Sequence, residues 1–197
     1  MSTNRLEAFS DGVLAIVITI MVLELKVPHE TTLEALRPIL PVFLSYILSF
    51  IYLAIYWNNH HHMLHTTDRV TGGVLWANLH LLFWLSLVPF ATGWLGENHV
   101  APLPTALYGV VLLGAGIAYI ILQQSIIASQ GADSCLRRAI GKDIKGKLSA
   151  LLYAGAVALA WVEPWASIGL YIAVALMWLA PDKRIERHVR AAQTTTN

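Results

Sequence analysis

Arg5-Leu6-Glu7-Ala8-Phe9-Ser10-Asp11-Gly12 runs without interruption into Val13-Leu14-Ala15-Ile16-Val17-Ile18-Thr19-Ile20-Met21-Val22-Leu23. An arginine, a serine and an aspartate stand at the mouth of an apolar run long enough to enter a bilayer. An unpaired charge costs at least about 2.5 kcal/mol there. The stretch therefore reads as a membrane helix whose polar residues need partners on neighbouring helices.

The rest of the chain has the same character. Of 197 residues, 56% are hydrophobic and only 13% charged, and the mean hydropathy is +0.59, well above what the core of a soluble domain of this length requires. A formal net charge of +1 leaves no basic excess for nucleic acid, so no nucleic-acid partner is expected. The single cysteine, Cys135, excludes an intrachain disulfide and a cysteine-rich metal site. The N-terminus lacks a basic region, a short apolar core and a small-residue cleavage site, and it reads as a retained helix.

A hydrocarbon core of about 30 Å takes roughly 20 apolar residues per helix. Six segments qualify, approximately 7–26, 38–64, 71–95, 103–129, 147–163 and 165–181. The last two are short, and Glu163-Pro164 leaves almost no connection between them, so they are expected to form a tight helical hairpin. The expected fold is all-α, an integral membrane protein of six transmembrane helices forming a single domain over residues 1–197.

Lysine and arginine counts test this topology independently of hydropathy. With a cytoplasmic N-terminus, one side carries Arg5, Arg69, Arg137, Arg138, Lys142, Lys145, Lys147, Lys183, Arg184, Arg187 and Arg190, and the other only Lys26 and Arg37. Eleven against two supports six spans with both termini cytoplasmic in the cell (plasma or inner) membrane. The basic tail after Pro181 reads as a juxtamembrane anchor against anionic lipid.

At about 100° per residue, Arg5, Phe9, Gly12, Ile16, Ile20 and Leu23 fall on one stripe of the first helix, with Thr19 at its border. Periodicity alone leaves this stripe as ordinary packing against lipid or another helix. A threonine hydroxyl in lipid usually bonds to a carbonyl one turn back. Ser10 and Asp11 point elsewhere and form a polar patch. Candidate partners are Trp57, Asn58, Asn59, His60, His61, His62 and His65 on the second helix, with Trp76, Asn78 and His80 on the third. Both sets lie at the membrane level of Ser10 and Asp11, and His60 is expected to bond to that patch.

His61 and His65 have the i, i+4 spacing that lets two imidazoles share an ion. Three consecutive histidines nevertheless spread over about 200° of a helix, and no His-Glu-x-x-His pattern follows. No metal and no cofactor are expected. No nucleophile with an adjacent base, phosphate-cradling glycine loop or carboxylate pair is present, and Asp11 is the acidic residue expected within a span, so the chain does not read as an enzyme. Gly114, Gly116 and Gly155 read as close-packing positions, and Pro89 as a kink in the third span.

The motifs together resemble the transmembrane protein 175 family, the endolysosomal potassium channel and its prokaryotic homologues. The signature is Arg5, three variable residues and Phe9-Ser10-Asp11, followed by Trp57-x-x-His60 in the second helix, Asn78 in the third and the later Pro89. Animal members carry two six-helix repeats per chain, and this chain holds one. The resemblance implies a homotetramer in which four first helices line a pore selective for potassium over sodium, without the Thr-Val-Gly-Tyr-Gly filter, which is absent here too. The family's hydrophobic constriction falls at Ile16. Ile20 and Leu23 would form further rings, with Thr19 contributing hydroxyls. A narrow apolar ring offers nothing in return for an ion's lost water, so it gates by dewetting. In this reading Arg5, Phe9, Ser10, Asp11, Trp57, His60 and Asn78 form the polar network that fixes the first helix. The permeant ion is potassium, and the partners are lipid and further copies of the chain. The competing readings are a proton-coupled secondary transporter relaying protons through Asp11 and the histidines, and a structural membrane protein.

Overall fold

The computed structural model describes residues 2–67, 69–131, 136, 137 and 143–179. The expected tail after Pro181 and the cations Arg138, Lys142, Lys183, Arg184, Arg187 and Arg190 lie outside the described residues. The described elements are helical throughout, with no strand among them.

Helix α1 spans Thr3–Leu23 and buries Leu6, Ser10, Leu14, Val17 and Met21, a spacing of three and four that keeps one face inward. A 3₁₀ stretch over Glu34–Ile39 leads into α2, Leu40–His65, which carries Pro41 in its first turn, where a missing N–H leaves no hydrogen bond unmade. The third expected span is divided into α3, Gly72–Ser86, and α4, Val88–Glu97. Pro89 is the cause: it cannot donate to the Leu85 carbonyl and its ring clashes there, so the helix yields at Leu87. Leu87 N donates instead to Trp84 O at 3.2 Å. Thr71 caps α3, its hydroxyl accepting from Val74 N at 3.4 Å.

Helix α5, Pro102–Gln130, is the longest at 29 residues and ends at Gly131, whose φ of +89° suits a residue without a Cβ. Helices α6, Ile144–Leu159, and α7, Pro164–Leu179, are joined by residues 160–163 as the expected hairpin, and Ser167 Oγ ties them by donating to Ala156 O at 2.8 Å. Four spans, α1, α2 with its 3₁₀ lead-in, α3–α4 and α5, are long and apolar enough to cross a membrane. The 16 residues of α6 and of α7 rise only about 24 Å each.

α5 forms the spine, packing against α3, α4, α6 and α7, while α1 packs on α2, α3 and α4. Leu53, Leu64, Leu81, Leu112, Leu122 and Tyr171 are completely buried in one continuous core. Several of its polar side chains are satisfied internally, as a bilayer interior demands: Thr92 Oγ1 lies 2.6 Å from Ser49 Oγ, Ser49 Oγ lies 2.9 Å from Tyr108 Oη, and Tyr171 Oη donates to Thr105 O at 3.1 Å. Gly114 packs where a Cβ would collide with the Trp84 ring of α3, and Gly116 meets Tyr56 and Tyr153 at ordinary contact distance. Gly155 corrects the sequence reading: none of the described residues lies within 4 Å of where its Cβ would stand, because it falls on the outer face of α6.

Candidate functional site

Three bonds hold the mouth of α1. His60 Nε2 and Asn78 Oδ1 are 2.7 Å apart, Asn78 Nδ2 donates to Ser10 Oγ at 3.0 Å, and Ser10 Oγ donates to Leu6 O at 2.9 Å. An amide oxygen only accepts, so His60 carries its proton on Nε2. The chain of donors then runs one way, from α2 through α3 into the backbone of α1. Ser10 and Asn78 are wholly inaccessible and His60 is buried. The bonds thus fix three helices at one depth in a medium that offers no replacement partner. His60 Nδ1 is buried with no hydrogen-bond partner among the described residues.

Asp11 takes a different partner from the one expected. Trp57 Nε1 donates to Asp11 Oδ1 at 3.0 Å, one turn of α2 before His60. The Trp57 ring stacks on His61 with centroids 6.0 Å apart. This second contact lies outside the buried chain, where the carboxylate is half-exposed.

Contacts between α1 and α2 follow an antiparallel register. From Asp11 through Glu7 to Thr3 along α1, the partner on α2 moves from Trp57 to His61 to the Thr67 carbonyl just beyond its end. Glu7 was not among the candidate site residues. Its Oε1 lies 2.6 Å from His61 Nδ1 and 3.8 Å from His65 Nε2. The signal was present: Glu7 precedes Asp11 by four residues, which places both on one face.

Arg5 and Phe9 do not join either contact. Both are exposed, and Arg5 makes no side-chain hydrogen bond or ion pair among the described residues. Helix phase explains this, since five residues separate Arg5 from Ser10 and turn the side chain about 140° away.

The exposed face of α1 carries Arg5, Phe9, Gly12, Ile16, Thr19, Ile20 and Leu23. Ile16 is 61% and Leu23 76% exposed, Ile20 somewhat less, and a Cβ on Gly12 would meet nothing within 4 Å. Thr19 sits well inside this face and not at its edge, with Ala15 and Ala8 exposed beside it. Its hydroxyl donates to Ala15 O at 2.8 Å, which leaves oxygen lone pairs free toward the open side. The same helix thus presents a packed, bonded back and an unpacked apolar front.

Residues 5–89, the first two spans and most of the third, match the family described as endosomal/lysosomal potassium channel TMEM175. A Chryseobacterium protein named as a potassium channel is 55% identical over 96% of this chain and 99% of its own length. A second protein so named, from Chamaesiphon minutus, is 31% identical over 88% of this chain and 92% of its own. The crystal structure of a lysosomal potassium-selective channel TMEM175 homolog from Chamaesiphon minutus superimposes with a TM-score of 0.78, at 31% identity, covering 91% of this chain and 97% of that one. With a buried Ser10–Asn78–His60 chain behind α1 and an open apolar face in front, the chain belongs to the TMEM175 family of membrane channels.

Proposed function

We propose that the chain is a potassium channel formed by four copies, each a single channel domain, with α1 of every copy facing a central path. The observation that carries this reading is the open front of α1, apolar from Phe9 to Leu23 on a helix whose back is packed and hydrogen-bonded. The names of the relatives supply the ion. Ile16 forms the narrowest ring, Ile20 and Leu23 form further apolar rings, and Thr19 adds hydroxyl oxygens between them. Selection then rests on partial dehydration: a potassium ion surrenders water at lower cost than the smaller sodium ion when an apolar ring offers no ligands in exchange.

Ser10, Asn78 and His60 hold α1 at its depth and rotation, and Trp57 restrains Asp11 beside them. Arg5 and Phe9 belong to the mouth of the path or to contacts between copies. The charge asymmetry and an even number of spans support a cell-membrane protein with both termini cytoplasmic. The test is potassium and sodium flux through purified protein in liposomes, paired with its mass in detergent. Selective, non-saturating potassium flux from a tetramer is expected. Saturating flux that demands an opposing proton gradient would replace the channel by the carrier.

A further inference from the structure

The contact of Glu7 with two histidines is not used by the conduction reading, and its chemistry is specific. His61 and His65 stand one turn apart on α2 with ring centroids 4.3 Å apart, and Glu7 reaches them from α1. One donor atom from each of the three residues lies within 4.8 Å of the other two. In a tetrahedral site with arms of about 2.0–2.1 Å the ligand atoms stand about 3.3 Å apart. The distances of 2.6 Å from Glu7 Oε1 to His61 Nδ1 and 3.8 Å to His65 Nε2 bracket that edge. The third pair, His61 and His65, also lies within 4.8 Å.

We propose that Glu7, His61 and His65 bind a divalent transition-metal ion of the zinc class, which fastens α1 to α2 at the end they share. Two imidazole nitrogens and one carboxylate oxygen suit zinc, cobalt or nickel and not magnesium or calcium, which take oxygen ligands. The fourth position is left to water. His65 and His61 are open enough to admit the ion, whereas the Glu7 side chain is only 17% exposed. Both ligand types coordinate in their deprotonated forms, so any proton held between His61 and Glu7 leaves as the ion binds. His62, turned about 100° from His61, contributes nothing. Consecutive His61 and His62 diverge around α2, and the third donor, Glu7, comes from α1.

Binding does not depend on whether α1 lines a pore, and its readouts are independent of flux. Zinc chloride is titrated by calorimetry into the purified full-length protein, with cobalt absorption as the geometric readout. One ion per chain is expected, with a tetrahedral cobalt spectrum. His65→Ala removes an exposed ligand with little risk to folding and weakens binding at least about tenfold, as does Glu7→Gln. His62→Ala leaves affinity unchanged. Saturating zinc raises the Tm of the wild type by about 5 °C and that of His65→Ala hardly at all. Wild-type affinity in His65→Ala, or equal weakening by His62→Ala, overturns the site, as does an octahedral cobalt spectrum.

Discussion

Replacing Asn78 by alanine removes the centre of the buried chain at the mouth of α1, and its cost can be set against that of Asp11→Ala. Asn78 is inaccessible and makes two interhelical bonds, at 2.7 Å to His60 and 3.0 Å to Ser10. Its truncation leaves the His60 Nε2 proton without an acceptor, beside a ring nitrogen that already has no partner. An orphaned buried donor costs about 1–3 kcal/mol. The lost bond to Ser10 adds about 0.6 kcal/mol, the average for interhelical polar bonds in membranes, so the total is about 2–4 kcal/mol. Asp11→Ala removes the charge along with its bond and strands only the indole N–H of an exposed tryptophan, for a cost of about 1 kcal/mol or less. The measurement is the surviving assembled fraction after stepped heating in detergent, followed by size-exclusion chromatography with fluorescence detection. Asn78→Ala is expected to collapse at a clearly lower temperature than Asp11→Ala, with Ser10→Ala between them. An Asp11→Ala protein as labile as Asn78→Ala would refute the reasoning and move the fastening to the Trp57 contact.

Ile16→Asn places a hydrogen-bonding amide in the proposed constriction; if it returns about 1 kcal/mol to a passing ion, sodium flux rises about fivefold. Reversal potentials and flux in liposomes measure this, and unchanged values would remove Ile16 from the path. Gly114→Ala drives a methyl into the Trp84 ring and is expected to cost about 1–3 kcal/mol. Gly155→Ala enters open space on a helix and gains up to about 1 kcal/mol; thermal melting of the two variants should move in opposite directions.

The hairpin of α6 and α7 was legible because Glu163-Pro164 interrupts an otherwise apolar run, and the break before α4 because Pro89 removes one specific backbone bond. Gly155 was misread: a small residue on a membrane helix allows a close approach without requiring one, and only the packing of α6 shows its outer side to be unpartnered. Glu7 carries no signal of its own at the head of a helix, where an acidic residue is ordinary; its four-residue offset from Asp11 puts the two on one face, but the histidines it meets lie on another helix. The open front of α1 was visible in the sequence as a stripe, but its meaning was not, since lipid, a neighbouring helix and a dewetting constriction all accept aliphatic side chains.

The sequence by itself determined the order of the spans and their ends to within about a turn, and how the residues of α1 divide between faces. Both follow from local quantities, apolar length and 100° per residue. Only the tertiary structure decided who bonds to whom. Asp11 meets Trp57 and not His60, Asn78 joins Ser10 to His60, and Glu7 meets two histidines, because these pairings depend on the antiparallel register of α1 against α2 and on the depth of α3 beside them. That register is set by the packing of whole helix faces, and no single helix carries it.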